Sequence, residues 1–279
     1  MLYQNPIALL KEHHLAPKKK LGQNFLVDGN VLNRIVALAD VNENSTVLEI
    51  GAGLGSLTFF LAQAAKHVIA VEVDEELLPI ARQLLQGCSN VTLVAGDILA
   101  LDLNSLRLPN GYTVVANIPY YITSAIIRKL LTATEKPKHM LLTVQEEVAE
   151  RICAQNGQMS LLALSVQVFG KPEIKMTIPA GAFHPAPAVD SAVLRIDLFQ
   201  EPLIATEKLE AFFTLIKAGF SQKRKMLRNT LSAGLHLPHE QVEEFLIRAG
   251  VNPQRRAQTL SMEEWQSATD NFLLQSAKG

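Results

Sequence analysis

The chain has 279 residues, of which 48% are hydrophobic and 19% charged, and a formal net charge of -1. These values exclude a disordered tail and a uniformly basic nucleic-acid binder, and the length suits one large domain with a smaller one. Two cysteines, Cys88 and Cys153, are too few for a disulfide framework or a zinc cluster, so inert thiols in a reducing compartment and no metal are expected.

The opening "MLYQNPIALLKEHHLAPKKK" puts its basic residues after a very short apolar patch, the reverse of a secretory signal. No apolar run approaches membrane-spanning length, so a cytoplasmic protein is expected. After this basic leader, "NVLNRIVALAD" has helical spacing, and an apolar strand at 46–50 runs through a glycine-rich turn into a helix. A second strand follows at 67–74, a helix over "EELLPIARQLLQG", and a third strand at 91–99. A fourth strand is predicted at 112–118, a helix over "SAIIRKLLTA" and a fifth strand at 139–145. "LLALSVQVFG" reads as helix despite its valines, and "EIKMTI" and "SAVLRIDLF" read as two strands with no helix between them. Strands apolar on both faces that alternate with helices predict an α/β fold, a parallel sheet covered on both sides. With an antiparallel last strand it has seven strands, and it resembles the sheet of class I methyltransferases. Composition shifts near residue 201, beyond which only helices are read, one of them opened by a capping box at Ser261 and Glu264. The predicted domains are 1–200, including a leader at 1–26, and 201–279.

Three glycines, Gly51, Gly53 and Gly55, stand between the first strand and its helix, where a ligand can approach the backbone closely. Glu72 at the tip of the second strand suits two ribose hydroxyls, and Asp97 beyond the third suits an adenine amino group. Nicotinamide and S-adenosylmethionine remain equally open at this point. The fourth strand ends in Asn117-Ile118-Pro119-Tyr120. Pro119 forbids a continued ladder and keeps Ile118 extended. The Asn117 side-chain oxygen and the Ile118 carbonyl then converge as two acceptors beside the flat face of Tyr120. An exocyclic amine with two N–H donors, such as adenine N6, matches that set; a capped turn with a packing tyrosine is the plainer alternative.

"HHLAPKKKLGQNFL", "LEIGAGLGSLT", "VEVD", "GDIL", "NIPYYI" and "FHPAPAVDSAV" together resemble the bacterial dimethyladenosine transferases, over nearly the whole chain. The resemblance implies dimethylation, with S-adenosyl-L-methionine, of the N6 groups of two adjacent adenosines near the 3′ end of 16S ribosomal RNA. It implies cofactor contacts at Asn24, Leu26, Gly51, Glu72, Asp97 and Asn117, and a leader that folds over the cofactor with Gln23 and Asn24 closing the pocket. It also implies that Tyr120 and Phe183 sandwich the target base. Phe183 by itself reads equally as a core aromatic, although Pro185 and Pro187 after it favour an exposed loop. Two basic patches, Lys18, Lys19 and Lys20 in the leader and Lys223, Arg224, Lys225 and Arg228 in the helical part, are the expected RNA contacts. The expected partner is 16S rRNA within a precursor small subunit, met by a monomer. The alternatives are a 23S adenine methyltransferase of the macrolide-resistance type, or a non-catalytic assembly or transcription factor on the same fold.

Overall fold

Seven strands make one sheet: β1 (Thr46–Ile50), β2 (His67–Glu72), β3 (Val91–Ala95), β4 (Thr113–Asn117), β5 (His139–Gln145), β6 (Gly170–Ile178) and β7 (Ser191–Leu198). The computed structural model describes residues 5–155 and 157–276. Their contacts gather into two units: one runs up to residue 149 and includes 172–198, and the other holds 150–171 and everything from 199 onward. The sheet order is β3-β2-β1-β4-β5-β7-β6. β1 to β5 are parallel, and β7 runs antiparallel to β5, as the class I methyltransferase pattern predicts.

Burial explains why the sequence pattern is readable. β1, β2, β4 and β5 are almost wholly buried and read as continuous apolar runs, whereas β3 and β6, at the two edges, keep half-exposed residues. One core layer joins Val47, Ala70 and Val115 of the sheet to Leu32 and Ile35 of α2 (Gly29–Leu38) and to Leu57 and Leu61 of α3 (Ser56–Ala64). The chain builds β1, β2 and β3 outward and then returns to lay β4 on the other side of β1. A parallel sheet opens a crevice at the carboxyl ends of its strands where that direction reverses.

Other elements differ from their predicted form. The leader contains a helix, α1 (Pro6–Glu12), capped by the Asn5 side chain on the Ile7 N–H, with Pro6 supplying a preset φ at its start. Its Leu9 and Leu10 bury against Leu54, Leu77 and Ile80. The helix expected from Glu75 begins at Leu78, as α4 (Leu78–Leu84), because Pro79 belongs in a first turn, where no N–H is needed. The third strand stops at Ala95, so Gly96 and Asp97 lie in the turn beyond it. A short helix, α5 (Thr123–Leu131), follows β4, and a further one, α6 (Glu146–Ile152), follows β5.

In the second unit, α7 (Leu161–Gln167) is helical as read, capped by Ser160 on the Ala163 N–H, and packs on α8 (Leu209–Gly219) with Phe169 stacked on Phe213. Residues 150–171, which precede the predicted boundary, thus make their contacts with the helices that follow it. α9 (Leu227–Leu235) was hidden in the sequence behind the adjoining basic run, while α10 (His239–Arg248) and α11 (Met262–Ser276) match their patterns. The predicted capping box is complete: the Ser261 N–H donates to Glu264 Oε2 at 2.8 Å, and the Glu264 N–H to Ser261 Oγ at 3.2 Å. No helix among the described residues is long and apolar enough to cross a membrane.

α8 and α9 approach closely at Gly234, where an added Cβ would lie 2.6 Å from the Ala218 Cβ and 2.9 Å from its Cα. Backbone atoms cannot step aside as a flexible side chain can. Gly234→Ala should therefore destabilise the protein by about 1–3 kcal/mol despite alanine's better helix propensity, which denaturant titration checks.

Candidate active site

A crevice opens at the ends of β1 and β4, walled by the strand tips and the leader. Its floor is the glycine turn. Gly51 has φ +81°, and a Cβ there would lie 3.2 Å from the Asn117 carbonyl oxygen, so both the turn and the approach of β4 require glycine. Gly53 has φ +56° and meets the Phe25 ring of the leader in the same way.

The acids stand on one wall. Glu72 is buried and accepts hydrogen bonds from the Gly53 N–H at 2.7 Å and the Asp74 N–H at 2.8 Å. Burial raises its pKa, and these N–H donors only partly offset that. Asp97 is exposed on the rim, and its Oδ1 accepts the Leu99 N–H at 2.8 Å. Both line the crevice with Gly51, Asn24, Leu26 and Asn117, so all six sequence-predicted cofactor positions come together. The residues fit the adenosine of S-adenosylmethionine: two carboxylates for ribose and amine, and a backbone turn with no side chains in the way.

On the other wall, the Asn117 amide is oriented by the leader. Its Nδ2 donates to the Asn24 carbonyl at 3.0 Å, which leaves Oδ1 as the accepting end. Ile118, Pro119 and Tyr120 also line the crevice, and Pro119, at φ -56°, carries the chain off the sheet into a short turn at Tyr120–Ile122. The Tyr120 hydroxyl hydrogen-bonds Ser191 Oγ at 2.7 Å, with its pKa raised by burial, so the phenol stays protonated at neutral pH. Ser191 is the final residue of the F-x-P-x-P-x-V-x-S pattern, a positioning role that sequence reading missed although it quoted the pattern.

Phe183 is placed differently. It is 4% exposed and lies in the core layer with Leu26, its strand partner, so the expected exposed loop is corrected to a short buried strand. The leader itself supplies the partner that sequence could not, since Phe25–Leu26 pairs with Phe183–His184 across more than 150 positions.

Lys18, expected as an RNA contact, is engaged within the protein. Its ammonium pairs with Asp74 at 2.7 Å and Glu76 at 2.9 Å, and Gln23 Nε2 donates to the other Asp74 oxygen at 2.7 Å. Burial works against ionisation of Asp74, but Lys18 and Gln23 outweigh it and hold the carboxyl below its ordinary value. The Asp74 N–H in turn serves Glu72, so the leader is latched to that acid through one residue. Asp74 was missed, although its place two residues beyond Glu72 in "VEVD" was the available signal. Lys19 and Lys20 are exposed. In the helical part, Lys223, Arg224 and Lys225 lie on an exposed loop, whereas Arg228 is paired with Glu243 at 2.6 Å.

A methyltransferase sheet with an acid-lined crevice and an oriented Asn-Ile-Pro-Tyr turn at its rim defines an enzyme that methylates an amino nitrogen. A family model described as ribosomal RNA adenine dimethylase matches residues 15–272. A ribosomal RNA small subunit methyltransferase A of Dehalococcoides mccartyi is 43% identical over 92% of this chain and 89% of its own length. The protein of the same name from Moorella thermoacetica is 42% identical over 94% of both chains. Among solved structures, the 23S rRNA methyltransferase ErmE superposes with a TM-score of 0.72 at 29% identity, covering 89% of this chain and 99% of its own. The chain belongs to the ribosomal RNA adenine dimethylase family, S-adenosylmethionine-dependent methyltransferases that act on rRNA.

Breaking the latch should free the leader without unfolding the sheet. Asp74→Asn keeps the shape but removes the charge that holds Lys18, so the leader should be cleaved faster by trypsin and cofactor affinity should fall severalfold. Because the Asp74 pKa is depressed, the latch is at full strength above its unfolded value and is lost only as pH falls through the lower folded one. The wild-type leader should accordingly stay protected at neutral pH and loosen only in strong acid, as limited proteolysis with an acid-active protease would read.

Proposed function

We propose that this enzyme dimethylates the N6 amino groups of two adjacent adenosines in the loop of the 3′-terminal hairpin of 16S rRNA, acting as a cytoplasmic monomer on a precursor small subunit. The observation that supports it is the Asn117 amide, whose Nδ2 donates to the Asn24 carbonyl and so leaves Oδ1 as its accepting end. The curated relatives named for the small subunit are more similar in sequence, at 43%, than the 23S enzyme, at 29%, which supports the small-subunit reading.

When bound, S-adenosylmethionine supplies an electrophilic methyl group on a positively charged sulfur. Asn117 Oδ1 and the Ile118 carbonyl grip the two N–H groups of the target amine, favouring the pyramidal nitrogen whose lone pair is free of the ring. No side-chain base is required, because the nitrogen becomes acidic only as it is alkylated and its proton can leave to water. The contribution of the site is alignment and electrostatic fit. Tyr120, fixed through Ser191, offers its ring to the base. Stacking of this kind is worth roughly 1–3 kcal/mol and offsets part of the cost of drawing a base out of its stack. A matching role for Phe183 requires the Phe25–Leu26 strand to release it. Glu72 and Asp97 hold the adenosine of the donor, and Gly51, Asn24 and Leu26 close on it.

The exposed loop Lys223, Arg224 and Lys225 is the phosphate grip of the helical domain, with Lys19 and Lys20 a second one in the leader. Lys18 and Arg228 contribute less, because each already neutralises an acid.

Asn117→Ala should lower methyl transfer by at least 100-fold while leaving RNA affinity within about threefold, as an oriented hydrogen-bonding group does when removed. Labelled methyl transfer to undermethylated small subunits, followed by nucleoside analysis for N6,N6-dimethyladenosine, measures it. Preferential labelling of large-subunit precursors would favour the 23S reading instead. Charge reversal of Arg224 and Lys225 together should weaken RNA binding and flatten its salt dependence while leaving cofactor affinity unchanged, as titration at two ionic strengths would show.

A further inference from the structure

Beneath the glycine turn lies a set of polar atoms that the reaction above does not use. Glu49, on β1 two residues before Gly51, is 0% exposed, and neither of its carboxyl oxygens makes a well-aligned hydrogen bond, although Thr58 lies beside them. The hydroxyls of Ser56 and Thr58, in the first turn of α3, are also buried and without a well-aligned partner. Four such polar atoms in one place are unusual in a packed core, where nearly all such groups are satisfied. Glu49 shares its face of the sheet with Val47 and, across the strands, with Ala70 and Val115, all apolar members of the core layer. The titratable or polar groups facing it are Glu72 from β2 and Thr58 from α3. Burial, the Glu72 charge and only partial relief from Thr58 push the carboxyl up to about 8, so Glu49 is neutral at physiological pH.

The corner it occupies is where charge changes during turnover. Gly51 touches the Asn117 carbonyl, Ser56 lines the crevice, and Glu72 connects to the Gly53 N–H. An amine held at Asn117 must meet the donor's sulfur end here, and that sulfur is a cation before transfer and a neutral thioether after it. A positive charge brought near a dry site favours the carboxylate. The N-terminus of α3 adds to that field.

We infer that Glu49 is a proton-coupled sensor of the cofactor's charge: it gives up its proton to solvent when the sulfonium donor binds and regains one when the thioether product remains. The ionised Glu49 then holds the donor more tightly than the product, and its reprotonation helps the product leave. This rests on the reading of the crevice as the donor's site. Glu49 touches no reacting atom and acts only through the field.

The test is calorimetric titration of the whole protein, without RNA, in buffers of different ionisation enthalpy, with S-adenosylmethionine and separately S-adenosylhomocysteine. At about pH 6.5 the amino groups of both ligands are protonated, so the difference in proton release reports the sulfur end. The expected release is about half to one proton for the donor and close to none for the product. Donor affinity should rise about fivefold or more between about pH 6.5 and 8, with product affinity changing little. Glu49→Gln, which copies the neutral acid in shape, should abolish the donor's proton release and bring the two affinities closer together. Equal proton counts for both ligands in the wild type, or undiminished release from Glu49→Gln, would overturn the inference. The wild-type comparison stands even if that variant fails to fold. Failure of either ligand to bind would instead remove the underlying reading of the crevice.

Discussion

The hydrogen bond from Asn117 Nδ2 to the Asn24 carbonyl ties the chemistry of this enzyme to its architecture. A side-chain amide has a donor end and an acceptor end, and the wrong end toward an incoming amine would repel it. The leader decides which end faces the crevice, and the glycine turn sets how close β4 can come. Gly51 against the Asn117 carbonyl is the close approach that sets the Asn-Ile-Pro-Tyr turn beside the glycine turn. The leader is therefore a wall of the site as well as its cover, with Gly22 packed on Pro119 and Tyr121 at the same rim.

The carboxylates in and beneath the crevice differ in their surroundings. Asp97 is exposed on the rim. Asp74 is buried but paired, and its ionisation is favoured by Lys18 and Gln23. Glu72 is buried and met only by N–H donors, and Glu49 is fully buried with only partial relief from Thr58, so the tendency to hold a proton increases inward. A low-dielectric pocket whose acids differ in this way responds to a cation more sharply than a solvated cluster could.

The basic residues divide into cations that are already neutralised and cations that are not. Lys18, Arg228 and Arg255 each hold an acid of the protein itself, Arg255 in a bidentate pair with Glu264. Lys223, Arg224 and Lys225 sit on an exposed loop and are open to polyanions. A chain with a net charge of -1 thus still presents a few exposed positive charges in one place.

Elements and the cofactor side of the site were legible in the sequence because their signals are local. Strands buried on both faces read as apolar runs, glycines mark the turn, and Ser261 with Glu264 announced a helix start that the structure completes. The Asn-Ile-Pro-Tyr turn was legible for the same reason, since a proline at a strand end constrains only its neighbours. What tertiary structure alone decided is everything carried by a partner distant in the chain: the pairing of Phe25–Leu26 with Phe183–His184 that buries Phe183, the capture of Lys18 by Asp74, the hold of Ser191 on Tyr120, and the isolation of Glu49. A side chain's type and spacing specify what it can bond to, but whether that bond is made, and in how dry a place, depends on which distant segments folding brings against it.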